Sequence, residues 1–256
     1  MKKLVMTSFL LIVLMAFSFQ AFAITADEIL DEMEAKSALN ATQKSVGTMI
    51  LTDEKGKEEK RELVMYAYDD SEDTENRAFI FRFLSPAEVR NVTMLSMEDG
   101  EQIYLFMPAF KKVRRIAGSG KKEKFAGTNI SFEDLSGGYS KDDYDATLVG
   151  EDEENYLLDL VPADPDSDYS KLIMTVDKEK FYFKKIEFLD LEGNLWKVLE
   201  VQKVQEEEDG SVTILKMYFQ DLKDNTTSLV EFESVEKGID LPNNFFSVRT
   251  IQQPEI

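Results

Sequence analysis

The sequence predicts a mainly β protein, one large antiparallel sheet or barrel opened by a single helix. Three observations carry this. From about residue 43 onward, apolar residues recur with period two, not 3.6, in a series of short segments. Turn-forming groups separate many of these segments: Glu54-Lys55-Gly56, Asp99-Gly100, Glu192-Gly193-Asn194, Asp209-Gly210 and Asp224-Asn225. Connections this short join antiparallel neighbours. No repeat, linker or shift of composition marks a second domain in the 256 residues.

The elements follow in order. Residues 1–23 read as an export signal, outside the fold. Lys2 and Lys3 form a positive start, 4–19 is apolar, and Ala21-Phe22-Ala23 is an A-x-A cleavage site. The apolar run is short for a membrane-spanning helix. No Cys follows it to carry a lipid anchor, so the expected product is exported and free, and comprises residues 24–256. Removing the signal takes out two lysines and no acid, which leaves the chain more acidic still. A helix then opens the mature chain. Thr25 and Glu28 form a capping box, and Ile29, Leu30 and Met33 line one face.

Candidate strands are 44–52, 60–68, 77–84, 91–98, 102–107, 112–117, 143–150, 155–161, 171–177, 181–189, 195–205, 212–220 and 227–236. Two segments interrupt them. The first, 118–138, is rich in Gly and Lys and includes a helical turn capped by Ser131 and Asp134. The second, 162–170, is an acidic loop. Near the end, 242–246 reads as a helical turn and 247–252 as a last strand.

Composition closes many functions. With no Cys and no His there is no disulfide, thiolate nucleophile, His base or His metal ligand. A formal net charge of −20 argues against a nucleic-acid partner. The hydrophobic content of 43% belongs to a folded chain. Asp164, Asp166 and Asp168 are spaced like the start of a calcium loop. The Gly and Glu which complete that loop are replaced by Tyr169 and Thr175, so an acidic surface turn is expected, with no metal and no cofactor. No carboxylate pair stands out as catalytic among 50 acids, and an enzyme is not expected.

Several strands are apolar on both faces. Leu63, Met65 and Ala67 alternate with Val64, Tyr66 and Tyr68. Phe79, Phe81 and Phe83 share a face opposite Ile80 and Leu84. Ile103, Leu105 and Met107 alternate with Tyr104 and Phe106, while Leu172, Met174 and Val176 flank Ile173. Both faces of such strands must avoid water. A filled core satisfies this, and so does a core that leaves an apolar cavity. Met usage favours the cavity, because an unbranched thioether adapts to variable ligands. Candidate cavity residues are Met65, Phe79, Phe81, Phe83, Leu105, Met107, Met174 and Met217. The segment Lys111-Lys112-Val113-Arg114-Arg115 and its continuation Lys121-Lys122-Glu123-Lys124 concentrate positive charge. Lys111, Lys112, Arg114 and Arg115 are candidates for docking or for a phosphate headgroup. An edge strand blunted by charge reads the same way.

Two stretches carry a resemblance. Pro108-Ala109-Phe110-Lys111-Lys112-Val113-Arg114-Arg115-Ile116 is followed by Phe125-Ala126-Gly127-Thr128-Asn129-Ile130-Ser131-Phe132-Glu133-Asp134-Leu135. With Tyr104-Leu105-Phe106-Met107 before them and Pro242-Asn243-Asn244-Phe245-Phe246-Ser247 late in the chain, they resemble the LolA-like branch of the outer-membrane lipoprotein-sorting family. The resemblance implies a half-open antiparallel barrel of about 11 strands, with short lid helices over an apolar cavity for acyl chains. It implies a periplasmic carrier of lipids or lipoproteins. It also implies an alternative: an envelope sensor, or an accessory subunit of an inner-membrane exporter of the RND type, using the same fold without cargo. On either reading, membrane contact is transient. The opening helix and the 118–138 segment are expected to act together as a lid. An integral outer-membrane barrel fits poorly, because 195–205 carries charge on both faces.

Overall fold

The computed structural model describes residues 24–37, 41–69, 77–136, 138–208 and 210–256. The predicted export signal at 1–23 lies outside them. Helix α1 spans Ala26–Ser37. Its capping box forms as expected: Glu28 N–H donates to Thr25 Oγ1 at 3.2 Å, and Thr25 N–H donates to Glu28 Oε2 at 2.8 Å. Among the described residues thirteen strands follow. They are β1 (Ala41–Thr52), β2 (Glu58–Asp69), β3 (Ala78–Ser85), β4 (Thr93–Met97), β5 (Gln102–Met107), β6 (Lys112–Ile116), β7 (Tyr144–Glu151), β8 (Asn155–Pro162), β9 (Tyr169–Asp177), β10 (Phe183–Asp190), β11 (Leu195–Glu206), β12 (Val212–Asp221) and β13 (Thr226–Lys237). A short helix α2, Phe132–Ser136, lies between β6 and β7, and α3, Val248–Ile251, lies near the end.

The strands form one sheet in the order β6-β5-β4-β3-β2-β1-β13-β12-β11-β10-β9-β8-β7. Two meanders meet where β1 pairs antiparallel with β13, Met49 opposite Val230. The described sheet does not close, since β6 and β7 are its two edges. The count exceeds the expected 11, but the architecture is the expected half-open barrel. A β-bulge at Val46/Gly47 helps to bend it. Here β13 approaches so closely that a Cβ on Gly47 would lie 2.2 Å from the Glu231 carbonyl oxygen.

The two-sided strands have two different covers. On the inner face Leu63, Phe81, Phe83, Met94, Ile103 and Leu105 share one core with Leu158, Leu172 and Met174 from the other half-sheet. A sheet whose distant halves share one core must curl around it. The middle of that core is supplied by the β6–β7 connection, whose Phe125, Ile130 and Phe132 are almost wholly buried. On the outer face Val64, Tyr66, Ile80, Leu95 and Phe106 pack under the C-terminal segment through Ile239, Leu241, Phe245, Phe246 and Ile251. Arg82, buried beneath this strap, donates to the carbonyls of Ile251 and Gln253, both at 3.0 Å, and to Thr93 Oγ1 at 2.8 Å.

Two local expectations are corrected. Residues 247–252 are not a strand. Ser247 caps α3 by accepting from Thr250 N–H at 3.3 Å. A final strand also lacks an adjacent place, since β13 already pairs with β1 and β12. The segment 242–246 does form a turn, Phe245 N–H to Pro242 O at 3.0 Å, but Asn244 at φ 61° keeps it from being helical.

Candidate functional site: an apolar cavity beside a plug

The β6–β7 connection is a plug bound to the inner wall. Arg61 holds its start, donating to Ala126 O at 2.8 Å with its guanidinium 5.0 Å from the Phe83 ring. Asn129 holds its middle: Nδ2 donates to Thr226 O at 3.1 Å, and Oδ1 accepts from the Ser228 hydroxyl. Asp134 holds its end. It accepts from Ser131 N–H at 2.7 Å, which caps α2 as expected. It also pairs with Lys197 at 2.7 Å, in a site where the side chains of Lys197 and Asp134 are 5% and 1% exposed. Next to it, burial raises the Glu133 carboxyl above its usual range, opposed by a hydrogen bond from Ser167 and reinforced by the Asp134 charge.

Beyond the end of the plug the barrel is not filled. A cavity of about 380 Å³ opens on the inner face between β1, β2, β3, β12 and β13. Its apolar wall includes Met65, Phe79, Leu135, Ile214, Met217 and Phe232. A second cavity of about 250 Å³ lies under α1, against Leu30, Met33, Phe181 and Phe183. The two share Arg77, Gly138, Val212 and Ile214 in their walls, and so lie side by side. The larger lies within the roughly 300–1,000 Å³ typical of small-ligand pockets.

Polar groups ring this space. Arg77 pairs with Glu34 of α1 and, at 3.7 Å, with Asp99 of the β4–β5 turn. On the opposite wall Thr213 Oγ1 donates to Glu207 at 2.6 Å, and Lys237 reaches the same carboxylate at 3.2 Å. Burial keeps the Tyr139 phenol, in the second cavity, well above its usual titration range and therefore neutral. The arrangement is an apolar chamber with a polar rim, suited to one end of an amphiphile.

The candidate residues fall into three groups. Met65, Phe79 and Met217 line the larger cavity. Phe81, Phe83, Leu105 and Met174 are buried in the filled core, with Met107 partly buried at its edge. The basic residues lie on edge strand β6 and the tight turn before it. Arg114 donates twice to Glu123, at 3.1 and 2.6 Å, which holds the guanidinium above and the carboxyl below their usual ranges. Lys122 pairs with Asp168 at 2.6 Å, and Lys124 with Asp221 at 3.3 Å. Lys111, Lys112 and Arg115 are exposed and make no ion pair with a described residue. Lys111 and Lys112 are at the far end of β5 from the cavity, ~17 Å away at ~3.3 Å per residue. Asp164 accepts from the Asp166 backbone at 2.8 Å, and among the described residues no group of three or more carboxylates is placed to hold a metal.

Sequence reasoning missed Gln43, Arg77, Thr213 and Ile214 as cavity residues. Gln43 was readable from strand parity, since it alternates with the buried Ser45, Gly47 and Met49, whereas Ile214 has the opposite parity to Met217 and was not. Arg77 was not, because its place depends on a turn meeting a helix from elsewhere in the chain.

This fold is similar to that of solved structures described as outer-membrane lipoprotein-sorting and LolA superfamily proteins. Residues 75–253 match the model of a family described as "-like: Uncharacterized protein", and the chain belongs to that family. Among solved structures it is similar to a domain from Vibrio parahaemolyticus classed as an outer membrane lipoprotein-sorting protein. The TM-score is 0.82 at 21% identity, covering 89% of this chain and 98% of that one. A DUF1329 family protein from Desulfovibrio piger matches with TM-score 0.80 at 21% identity, over 88% and 97%. A LolA superfamily protein from Nitrosomonas europaea matches with TM-score 0.69 at 20% identity, over 89% and 99%. No curated protein sequence matches the chain. Among the described residues no helix is long and apolar enough to cross a membrane.

Proposed function

We propose that the protein is a periplasmic carrier that shelters an acyl chain of a lipid or lipoprotein in the cavity between α1, the plug and β12. The carrying observation is the unfilled, apolar-walled space beside a densely packed plug. A chain leaving a membrane costs about 0.8 kcal/mol per exposed CH₂, and such a chamber offsets that cost. The A-x-A signal at the N-terminus supports export. Helix α1 and the end of the plug would be the lid, linked to the sheet by Arg77. Lys111, Lys112 and Arg115, beside the 68% exposed Phe110, would make the transient contact with a membrane or a membrane partner. The test is displacement of an environment-sensitive fatty-acid probe from the purified protein. Saturable binding supports the carrier, and absence of binding contradicts it.

A second reading has an observation in its favour. Phe125, Ile130 and Phe132 fill the middle of the barrel, which would suit a sensor or an accessory subunit of an RND-type exporter that uses the fold as a rigid body. A membrane partner captured equally well when the cavity is blocked would favour it.

A further inference from the structure

We propose that the end of the barrel opposite the cavity mouth is an interfacial face, which seats on a bilayer containing anionic phospholipid through three hairpin turns. This deepens the docking part of the proposed function and rests on it. Antiparallel pairing puts the turns β1–β2, β3–β4, β5–β6, β10–β11 and β12–β13 at one end: Thr52 pairs with Thr227, Thr93 with Phe106, and Lys197 with Asp221. The cavity opens at the other end, among Ala67, Asp99, Val212 and helix α1. The most exposed large apolar side chains among the described residues, Phe110 and Leu191, both 68%, stand on turns of the first end. Leu222 stands on the β12–β13 turn and Leu195 is the first residue of β11, and both are exposed. A hydrogen bond from Leu222 N–H to Trp196 O at 2.8 Å brings these last two segments together.

Apolar tips set among charged residues suit a lipid interface, where the tip enters the acyl boundary and its neighbours stay among the headgroups. A protein interface is built instead on a contiguous packed core, whereas these tips are spread over turns from both half-sheets. Charge favours an anionic surface. Lys111 and Lys112 follow Phe110 directly and are exposed. Beside the leucines, Lys223 pairs with Asp190 at 2.7 Å and Lys124 pairs with Asp224, so these carboxylates offer little repulsion. Glu88 and Glu192 do repel such a surface, which keeps the contact transient. Repulsion from the rest of the acidic body is screened over about 8 Å at physiological ionic strength. Seated this way, α1 and the cavity mouth face away from the bilayer.

The chain has no Cys, so single-cysteine variants take a label at one place only. In the test, Ala109→Cys, Glu192→Cys and, at the cavity end, Glu153→Cys carry an environment-sensitive fluorophore and are mixed with vesicles of phosphatidylglycerol and phosphatidylethanolamine. The expected result is a blue shift from the first two labels and none from the third. In co-sedimentation, Leu191→Ser/Leu222→Ser should weaken vesicle binding roughly tenfold, and vesicles of phosphatidylcholine alone should bind the unsubstituted protein less well. Thermal unfolding reports whether each variant is folded. A shift at the Ala109→Cys label alone, with binding unchanged in folded Leu191→Ser/Leu222→Ser, overturns this face and leaves contact by the basic hairpin standing. Equal binding to phosphatidylcholine vesicles overturns it. So does a shift without vesicles that grows with protein concentration, which is the mark of a second copy covering this end. No vesicle binding by the unsubstituted protein overturns the proposal and the membrane contact together, and leaves the sheltering of an acyl chain to its own test.

Discussion

Lys197 occupies a strand position where alternation calls for an apolar residue. It is spared the penalty of an isolated buried charge because Asp134 at 2.7 Å and the Tyr169 hydroxyl at 2.7 Å meet its ammonium. Lys197→Met leaves the Asp134 carboxylate buried without its cation. We expect a loss of roughly 3–5 kcal/mol in denaturant unfolding, and recovery of much of it in Lys197→Met/Asp134→Leu. Glu133 gives a pH signature of the same region. Its folded-state carboxyl binds its proton more tightly than in the unfolded chain, so its contribution is full below the ordinary glutamate range and is lost as pH rises through the raised folded value. Asp143, raised by burial too, acts in the same direction. In melts scanned upward from about pH 4, Glu133→Gln should show a shallower fall than the unsubstituted protein. A parallel pair of curves would contradict this. The Ser131–Asp134 cap was legible in the sequence because it is local. The Lys197 partnership was not, because it joins residues 63 positions apart.

The elements divide by how local their causes are. All thirteen strands and the α1 capping box were legible, because period-two patterning and turn chemistry act within a few residues. Strands β2, β3 and β5 also announced that both their faces are covered. What covers them was hidden, since neither the plug nor the C-terminal strap has a periodic pattern. The reading of 247–252 as a strand failed for that reason: apolar residues there answer to the outer face of β2–β4, not to a sheet partner. Arg82 ties the strap down, with donors to Ile251 and Gln253. Arg82→Met should therefore free the strap. The expected outcome is faster proteolytic cleavage within 239–256 and greater binding of a hydrophobic dye, as Val64, Ile80 and Leu95 lose their cover. Unchanged protection would mean that the apolar contacts of Phe245, Phe246 and Ile251 hold the strap unaided.

For the whole molecule, the fold follows from two hairpin meanders joined at β1–β13, and among the described strand pairings only that one is long-range. The candidate site was less legible. Strand parity placed Phe79 and Phe81 on one face, but could not tell which would reach the plug and which the empty end. That division depends on where the connection 117–143 comes to rest, and its resting place is set by Arg61, Asn129 and Lys197. The basic segment was legible as a segregation of charge, while the pairing of Arg114 with Glu123 and of Lys122 with Asp168 was not. The central claim is that the space at the end of the plug holds an acyl chain. Native mass spectrometry of the protein purified without detergent, with organic extraction of whatever accompanies it, tests this most directly. Ile214, shared by both cavities, gives the control: Ile214→Trp fills the space from within. The account expects acyl amphiphile on the unsubstituted protein and none on folded Ile214→Trp. An unsubstituted protein that is free of lipid and takes up none from added vesicles would contradict it.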